Sequence, residues 1–307
     1  MRALPAALCC AAAIGAGAAA AADPLAVTEI AAGVYVHAGA QAETSPANRG
    51  DIANIGFIVG ARCVAVIDTG GSPAVGRALR QALRSVTPLP ICYVINTHGH
   101  PDHIFGNVAF KADRPEFIGH AKLAAAMNAR GRVYLAALAR VLGPEAADAE
   151  IIPPTRAVAD TAVLDLGGRR LNLRAWPTAH TDHDLTVFDE STGTLWLSDL
   201  LFIERIPVID GSLPGWLAVL ATLRGQAATH IVPGHGGVTR DWPGASAPEQ
   251  RYLEQLRVET RAALRARKTL QEAVDTVGGG ERGAWLLFDQ YHRRNVTAAF
   301  AELEWEE

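Results

Sequence analysis

The sequence from His98 to His103 places three histidines and an aspartate within six residues, as H-G-H-P-D-H. It directly follows the apolar run Ile91 to Ile95, which predicts a buried strand. In an extended or turning loop His98 and His100 point the same way and can share one metal ion. Asp102 and His103 then point elsewhere and can serve a second ion. Imidazole and carboxylate ligands without thiolate suit zinc, and also iron or manganese.

Two metal ions need more than four ligands, and the chain offers others just beyond apolar runs. His180 lies in the segment after Trp176-Pro177, Asp199 ends the run around Trp196, and His235 follows a short apolar stretch and a Pro-Gly pair. Open α/β sheets carry their ligand sites at such strand ends. These three residues are therefore further candidates for the same site.

The elements around the histidine run alternate between strands and helices. Ile55 to Ile58 and Cys63 to Ile67 are continuous apolar, β-branched runs, typical of strands buried on both faces. Ala74 to Val86 has apolar residues at helical spacing, and the strand Ile91 to Ile95 follows it. A strand, a helix and a strand of these lengths predict a parallel crossover unit.

The rest of the chain repeats this mixture. One strand pair is predicted within Ala162 to Arg174, turning at Gly167-Gly168. A second is predicted between Leu185 to Phe188 and Thr194 to Leu197, and a short strand is predicted at His230 to Val232. Helices are predicted over Ala121 to Leu142 with a possible break at Gly131, Leu213 to Leu223, Pro248 to Val277 as one helix or a pair, and Trp285 to Trp305. Two mixed units in order predict an α/β fold of two packed sheets with helices outside.

The composition is that of a globular protein. The 307 residues are 49% hydrophobic and 20% charged, which excludes a disordered or disulfide-dense chain. The net charge of −4 gives no reason to expect nucleic acid or an anionic membrane as partner. We expect one domain over residues 23–307, with about 246–307 as a helical C-terminal extension, because no linker suggests a second domain.

Residues 1–22 read as a secretory signal peptide. Arg2 is followed by an apolar, Ala-rich stretch and by small residues at Ala20 to Ala22, just before Asp23. The prediction is therefore a periplasmic or secreted protein, without a membrane span after cleavage, because no later stretch reaches about 18 apolar residues. The remaining cysteines, Cys63 and Cys92, are consistent with either one disulfide or two buried thiols.

The ordered set of motifs resembles the metallo-β-lactamase-fold hydrolases. Asp68-Thr69-Gly70, the His98 to His103 run, His180, Asp199 and His235 follow the five motifs of that family in order, over about residues 30–237. The resemblance implies a four-layer αββα sandwich with two zinc ions at one edge.

The same resemblance implies the distribution of ligands. His98, His100 and His180 would hold the first zinc ion, and Asp102, His103 and His235 the second. Asp199 would bridge the two. Asp68 would orient the loop that carries His98, because a metal-bound histidine usually needs such support, although a helix cap or turn former is the alternative.

The bridging position separates branches of the family. The β-lactamases of this fold carry Cys or Ser where this chain has Asp199, whereas the glyoxalase, lactonase and sulfatase-like branches carry Asp. The resemblance thus predicts at most a weak β-lactamase side activity. The Glu-containing ligand pattern of the flavodiiron oxygen reductases is absent from the sequence.

A narrower resemblance points to the SoxH-like zinc metallohydrolases of quinoprotein relay systems. It is carried by Asn48 to Phe57, His180 to Val187 and Arg294-Asn295-Val296. It implies a periplasmic protein that serves a quinone-cofactor dehydrogenase as its partner, and it does not supply a substrate.

The sequence therefore predicts a zinc hydrolase in which a metal-bridging hydroxide attacks the carbonyl of a small ester, thioester, lactone or amide. Asp199 would position the hydroxide, and Asp102 would be both ligand and proton shuttle. Two alternatives remain: a persulfide dioxygenase-like enzyme with one iron ion, and a non-catalytic partner of the dehydrogenase.

Several other residues have two interpretations or a structural one. Phe202, Arg205 and Trp216 follow Asp199 and either line the pocket or, for the two aromatic residues, belong to the core. His183 is either a group near the site or a polar loop residue. Four histidines without a partner motif are expected to be structural: His37, His120, His230 and His292.

Overall fold

The computed structural model describes residues 24–306, so the predicted signal peptide lies outside the described residues. The first sheet has seven strands in chain order: β1 (Thr28–Ala31), β2 (Val34–His37), β3 (Ile55–Val59), β4 (Val64–Ile67), β5 (Ile91–Ile95), β6 (Glu116–His120) and β7 (Arg156–Val158). Strands β1 to β4 pair antiparallel, and β4 to β7 pair parallel. The parallel part places the carboxyl ends of its strands at one edge.

The second sheet has five strands: β8 (Thr161–Asp165), β9 (Arg170–Ala175), β10 (Leu185–Asp189), β11 (Thr194–Phe202) and β12 (His230–His235). Their spatial order is β12-β11-β10-β9-β8, antiparallel except for the parallel pair β11 and β12. The helices are α1 (Pro73–Val86), α2 (Pro101–Ile104), α3 (Leu123–Leu142), α4 (Leu213–Leu223), α5 (Ala247–Arg265), α6 (Leu270–Thr276) and α7 (Phe288–Leu303).

Alternation along the strands sorts side chains between two packed layers. In β11, Trp196 joins the apolar cluster between the sheets, whereas Leu195 and Leu197 face the cluster under α4 to α7. On the other side, residues such as Phe57 pack against Leu79 of α1. Helix, sheet, sheet and helix therefore form the two packed sheets with outer helices that the sequence pattern predicts, and the four-layer αββα sandwich that the family resemblance implies.

Helix α1 shows how the local sequence places an element beside the future site. Ser72 caps it by accepting a hydrogen bond from the Val75 amide at 3.2 Å, and Pro73 occupies the first turn. The unit β4, α1 and β5 is a parallel crossover, as predicted. It brings the end of β5, and so the histidine run, to the edge of the first sheet.

Two helix predictions need correction, and one of two predicted alternatives is decided. No break occurs at Gly131, because α3 continues through it and packs this glycine against Ile151. The stretch from Pro248 is a pair of helices, with a capping box at Thr269 starting the second. The last helix begins at Phe288, not at Trp285, because the residues before it run alongside Arg205 as an isolated β-bridge.

Cys63 and Cys92 are joined by a disulfide, with 5.8 Å between their Cα atoms. It links the residue before β4 to β5, two paired strands of the first sheet. Within residues 24–306, no helix combines the length and apolar character needed to cross a membrane.

Candidate metal centre

All seven predicted ligands lie at one edge of the sandwich. The β5–α2 turn supplies His98 and His100, and α2 itself supplies Asp102 and His103. The second sheet supplies the other three from the loop after β9, from β11 and from the end of β12: His180, Asp199 and His235. The side chains form two groups, His98 with His100, His180 and Asp199, and Asp102 with His103 and His235. Within each group the candidate ligand atoms lie within 4.8 Å of one another.

His103, His180 and His235 each present one defined ring nitrogen to the centre. The Nδ1 atoms of His180 and His235 lie 2.7 and 2.8 Å from the carbonyl oxygens of Val208 and Ile52. Because a carbonyl oxygen only accepts, both Nδ1 atoms carry the proton and donate it. His103 Nδ1 likewise donates to Asp68 Oδ2 at 2.8 Å. The Nε2 atoms of all three rings are left with lone pairs aimed inward.

The two histidines of the β5–α2 turn use opposite ring nitrogens. His100 Nε2 donates to Asp210 Oδ2 at 2.8 Å, so its Nδ1 faces the centre. His98 Nδ1 lies 3.2 Å from Thr97 Oγ1, whose own proton goes to Asp68 Oδ2 at 2.7 Å. His98 therefore donates from Nδ1 and points Nε2 inward. Outer hydrogen bonds of this kind orient metal-binding histidines and set their tautomers.

The inner atoms lack protein partners that suit them. Among the described residues, His98 Nε2, His103 Nε2 and Asp199 Oδ1 are buried without a hydrogen-bond partner. His180 Nε2 and His100 Nδ1 stand 3.1 Å apart, with both of their protons used on the outer side. Two facing lone pairs and orphaned buried atoms are costly unless a cation lies between them. The residues present fit bound metal ions.

Asp199 is central to the arrangement. Its carboxylate oxygens lie 3.1 Å from His103 Nε2, 3.4 Å from the Nε2 atoms of His180 and His235, and 3.7 Å from that of His98. It therefore reaches histidines of both groups. Gly234 makes this placement possible, because a Cβ there would overlap Asp199 Oδ1.

A buried network supports the centre from below. Asp68 accepts hydrogen bonds from the Thr97 amide at 2.8 Å and from His103, while Thr97 Oγ1 and Ser198 Oγ lie 2.7 Å apart. Asp68 and Ser198 adopt left-handed backbone conformations, with φ of 53° and 48°. Such conformations cost about 1–3 kcal/mol in residues other than glycine and cluster at functional sites. Asp68 thus supports the site, while Ser72 caps α1.

One supporting residue, Asp210, was not predicted from the sequence. Besides accepting from His100, its carboxylate contacts the guanidinium groups of Arg130 and Arg294. Burial alone would raise its pKa, but the hydrogen bond and charge of His100 and the charge of Arg294 outweigh burial and hold the pKa well below its usual range. No spacing relates Asp210 to the other motifs, so only the folded chain identifies it.

The charges of the centre are strongly coupled. Burial would lower the pKa of His103, but Asp199, Asp102 and Asp68 raise that pKa well above the usual value. Burial lowers the pKa of His180 to about 3. Burial would raise the pKa of Asp199, yet the surrounding histidines lower it well below the usual range. The site therefore keeps its carboxylates ionised, and their negative charge favours a cation beside His103.

A cavity of about 620 Å³ opens above the candidate ligands. Phe202 and Arg205 line it, and Phe202 is also part of the core, where Trp216 is fully buried. His183 packs beside Gly99 and contacts Asp182 at 2.7 Å, outside the cavity lining. Neither ligand group includes any of the histidines expected to be structural: His37, His120, His230 and His292.

The sandwich and its edge site define an α/β protein with a candidate metal site, and the chain belongs to the metallo-β-lactamase superfamily. The model of that family matches residues 48–263. A metallo-beta-lactamase from Pontibacter korlensis is similar in structure, with a TM-score of 0.59 and 17% identity over 75% of this chain and 99% of that chain. The structure of TMB-1 is also similar, with a TM-score of 0.59 and 18% identity over 75% of this chain and 97% of that chain.

A double mutant of the sec-alkyl sulfatase PisA1 is also similar. Its TM-score is 0.67 at 16% identity, over 91% of this chain and 50% of that one. At these identities the structural similarities establish the fold, which agrees with the sandwich predicted from the sequence. The superfamily is generally hydrolytic and typically binds metal ions, in keeping with the His/Asp groups of this chain.

Proposed function

We propose that this protein is a dinuclear zinc hydrolase that cleaves a carbonyl substrate: an ester, thioester, lactone or amide. The observation that carries the proposal is the convergence of five imidazole nitrogens whose outer partners leave them unprotonated on the inner side, around Asp199. His98, His100 and His180 would hold one ion, Asp102, His103 and His235 the other, and Asp199 would contact both. Zinc ions there would supply an acidified water and polarise the substrate carbonyl.

The protein's own groups then have distinct tasks. Asp199 is 4% exposed, and its ionised carboxylate is placed to orient a water molecule and accept a hydrogen bond from it. Asp102 lines the cavity, and its carboxylate lies 3.4 Å from His235 Nε2, so it is positioned to pass a proton toward the leaving group. Phe202 covers one side of His235 and limits access of bulk water.

The first experiment is the metal content of the mature protein, purified without added metal. We expect two zinc ions per chain, and hydrolysis of at least one member of a panel of esters, thioesters and lactones. His103→Ala should lower the content to one ion, whereas His37→Gln, which replaces a histidine of neither group, should keep two. One iron ion with oxygen uptake on a persulfide would replace the proposal by a dioxygenase. No metal and no turnover would leave a non-catalytic partner protein.

We further propose that the protein is exported and serves a quinoprotein relay system. The signal-like residues 1–22 and the disulfide between Cys63 and Cys92 support export, because disulfides persist in oxidising compartments. Expression of the full chain in a Gram-negative host tests this, with a mature N-terminus at Asp23 in the periplasmic fraction as the expected result. Retention of the intact chain in the cytoplasm would contradict it. Co-purification with a quinone-cofactor dehydrogenase tests the partner.

A further inference from the structure

A carboxylic acid is buried at the beginning of helix α5, where it contacts the end of strand β11. Glu249 lies in the first turn of α5 and is 0% exposed. Its Oε1 atom accepts a hydrogen bond from the Phe202 amide at 2.9 Å, whereas its Oε2 atom is buried without a hydrogen-bond partner. Within residues 24–306 it has no ion-pair partner. Fully buried glutamates without a paired charge are rare, because their burial is costly.

The surroundings of Glu249 favour its uncharged form. Burial raises the pKa of its carboxyl group well above the usual value. The hydrogen bond from Phe202 opposes this change, and the negative charge of Asp199 acts in the same direction as burial. The group therefore acts on its neighbours mainly as a hydrogen-bond acceptor, a task that a glutamine side chain can also perform.

The hydrogen bond lies where β11 departs from regular pairing. Just before Phe202, β11 advances by four residues while its neighbour β12 advances by two, which leaves Asp199 in an irregular stretch. The Ile203 amide returns to β12 and donates to the His235 carbonyl at 3.0 Å. The Phe202 amide turns to Glu249 instead. Helix α5 thus supplies the partner that holds the end of this irregular stretch.

The ring of Phe202 contacts one histidine of each ligand group. It stacks on His235 with 5.0 Å between the ring centroids, and its centroid lies 5.7 Å from that of His180. The buried Trp216 packs behind both, with its centroid 6.0 Å from that of Phe202 and 5.2 Å from that of His180. Because close-packed side chains transmit displacements, a shift of the Phe202 backbone would move both histidine rings.

We propose that Glu249 is a positioning residue of the metal centre: it fixes the backbone of Phe202, whose ring holds His180 and His235 in place. Groups outside the ligand shell commonly orient metal ligands in this way. Because Glu249 belongs to α5, the C-terminal helical extension would then orient ligands of both groups. This proposal rests on the metal-binding part of the proposed function and is independent of hydrolysis.

Cobalt(II) is the probe, because its visible absorption depends on the arrangement of its ligands. The metal-free protein is titrated with cobalt(II) in competition with a chromophoric chelator. Glu249→Leu should lower the affinity by about tenfold or more, as the loss of outer partners does at other metal sites, and it should change the absorption spectrum. Glu249→Gln keeps the acceptor oxygen, so its affinity and spectrum should stay close to those of the natural protein. Natural behaviour of Glu249→Leu, or a loss in Glu249→Gln as large as in Glu249→Leu, would overturn the proposal.

Thr260→Val is the matched control. Thr260 is another fully buried polar residue of α5, and its hydroxyl group has no hydrogen-bond partner within residues 24–306. Its replacement should leave the cobalt affinity and the spectrum unchanged. If Thr260→Val changes the spectrum as Glu249→Leu does, the effect comes from the packing of α5 in general and the proposal fails.

The route through Phe202 has a test of its own. Phe202→Leu keeps the amide that Glu249 holds but removes the aromatic contacts to both histidines. It should weaken cobalt binding and change the spectrum, and adding Glu249→Leu should cost little further affinity, because residues that act through one contact are not additive. Full additivity, or natural cobalt binding by Phe202→Leu, would overturn the proposal. If Glu249→Leu does not unfold cooperatively in urea, Phe202→Leu alone decides.

Metal binding and turnover separate this proposal from the proposed function. If the Glu249 variants bind cobalt(II) as expected but the natural protein cleaves no ester, the role of Glu249 stands and the proposed hydrolase fails. If esters are cleaved and Glu249→Leu keeps the natural affinity and spectrum, the role of Glu249 fails and the hydrolase stands. A natural protein that binds no metal would overturn both.

Discussion

The side-chain amide of Asn295 holds the backbone of Ile209, whose amide donates to Asn295 Oδ1 at 3.0 Å. Asn295 Nδ2 also donates to the Pro207 carbonyl at 2.7 Å. Val208 lies between Pro207 and Ile209, and its carbonyl accepts the proton of His180 Nδ1. The C-terminal helix thus orients a candidate metal ligand through one buried asparagine.

Replacing Asn295 by Ala should destabilise the fold by about 2–3 kcal/mol, because it leaves buried backbone groups without partners. It should also weaken metal binding, because Val208 would no longer be held against His180. Urea unfolding of the metal-free variant and zinc titration against a chromophoric chelator measure the two effects. Asn172→Ala, which removes only a surface contact to Glu190, should change neither. An unchanged zinc affinity in Asn295→Ala would disprove the link to His180.

Asp210→Asn should lower the affinity for the ion held by His100 by about 10- to 100-fold, as loss of a charged outer partner does at other metal sites. The ring of His100 would keep a neutral acceptor but lose the ionised carboxylate that makes it a stronger donor to metal. Competition with a chelator, read for each ion in turn, gives the affinities. Asp289→Asn, an exposed partner of Arg282, is the control and should bind zinc like the natural protein. A loss of affinity confined to the ion held by Asp102, His103 and His235 would contradict the assignment of His100 to the other ion.

His37 should make stability depend on pH near neutrality. Burial would lower its pKa, but the hydrogen bond and charge of Asp51 and the Ala26 carbonyl raise it above the usual value. A raised folded-state pKa stabilises the protein below the unfolded-state pKa, and this contribution is lost as pH rises through the folded-state pKa.

The free energy of unfolding of the natural protein, measured in urea from about pH 6 to 9, should therefore fall more steeply than that of His37→Gln. The two curves should become parallel above this range, where the ring is neutral in both states. Parallel curves throughout would show that His37 has no shifted pKa. His292→Gln tests specificity, because burial lowers the pKa of His292. Its replacement should make the free energy of unfolding fall more steeply with pH, the opposite of the change expected in His37→Gln.

Reduction of the disulfide between Cys63 and Cys92 should lower the free energy of unfolding by about 3 kcal/mol, because it removes a cross-link that closes a loop. The two cysteines are 29 positions apart in the chain. Thermal melting with and without reductant measures the loss, and a Cys63→Ala/Cys92→Ala variant should melt like the reduced protein and be insensitive to reductant. Two reactive thiols in the denatured, unreduced mature protein would show that the bond does not form.

Much of the site could be predicted from the chain because its signals are local. The His98 to His103 run combines metal-binding residue types at short spacing directly after a strand, and strand ends meet at a sheet edge whatever the details of packing. The same holds for the crossover unit around α1, whose apolar periodicity and capping residues lie within a few turns. The ligand assignment itself stays a prediction until metal is measured, although the fold brings all seven side chains together.

Other features depended on contacts between distant segments. Asp210 and Asn295 have no side-chain partners close to them in the chain, so their roles exist only once α7 packs on the second sheet. The helix boundary at Phe288 shifted for the same reason, since a β-bridge to Arg205 outweighed the helical pattern beginning at Trp285.

The sequence by itself determined most of the strands and helices, although not β6, β7 or α2, as well as the chemistry of the metal-binding residues and the family resemblance, because these follow from residue type and spacing. Only the tertiary structure decided which imidazole nitrogen faces the centre, that the two cysteines are bonded, and that a C-terminal helix completes the cavity. Hydrogen-bond partners and unpaired charges are properties of three-dimensional neighbourhoods, and residues more than eighty positions apart, such as Ile209 and Asn295, become neighbours only on folding.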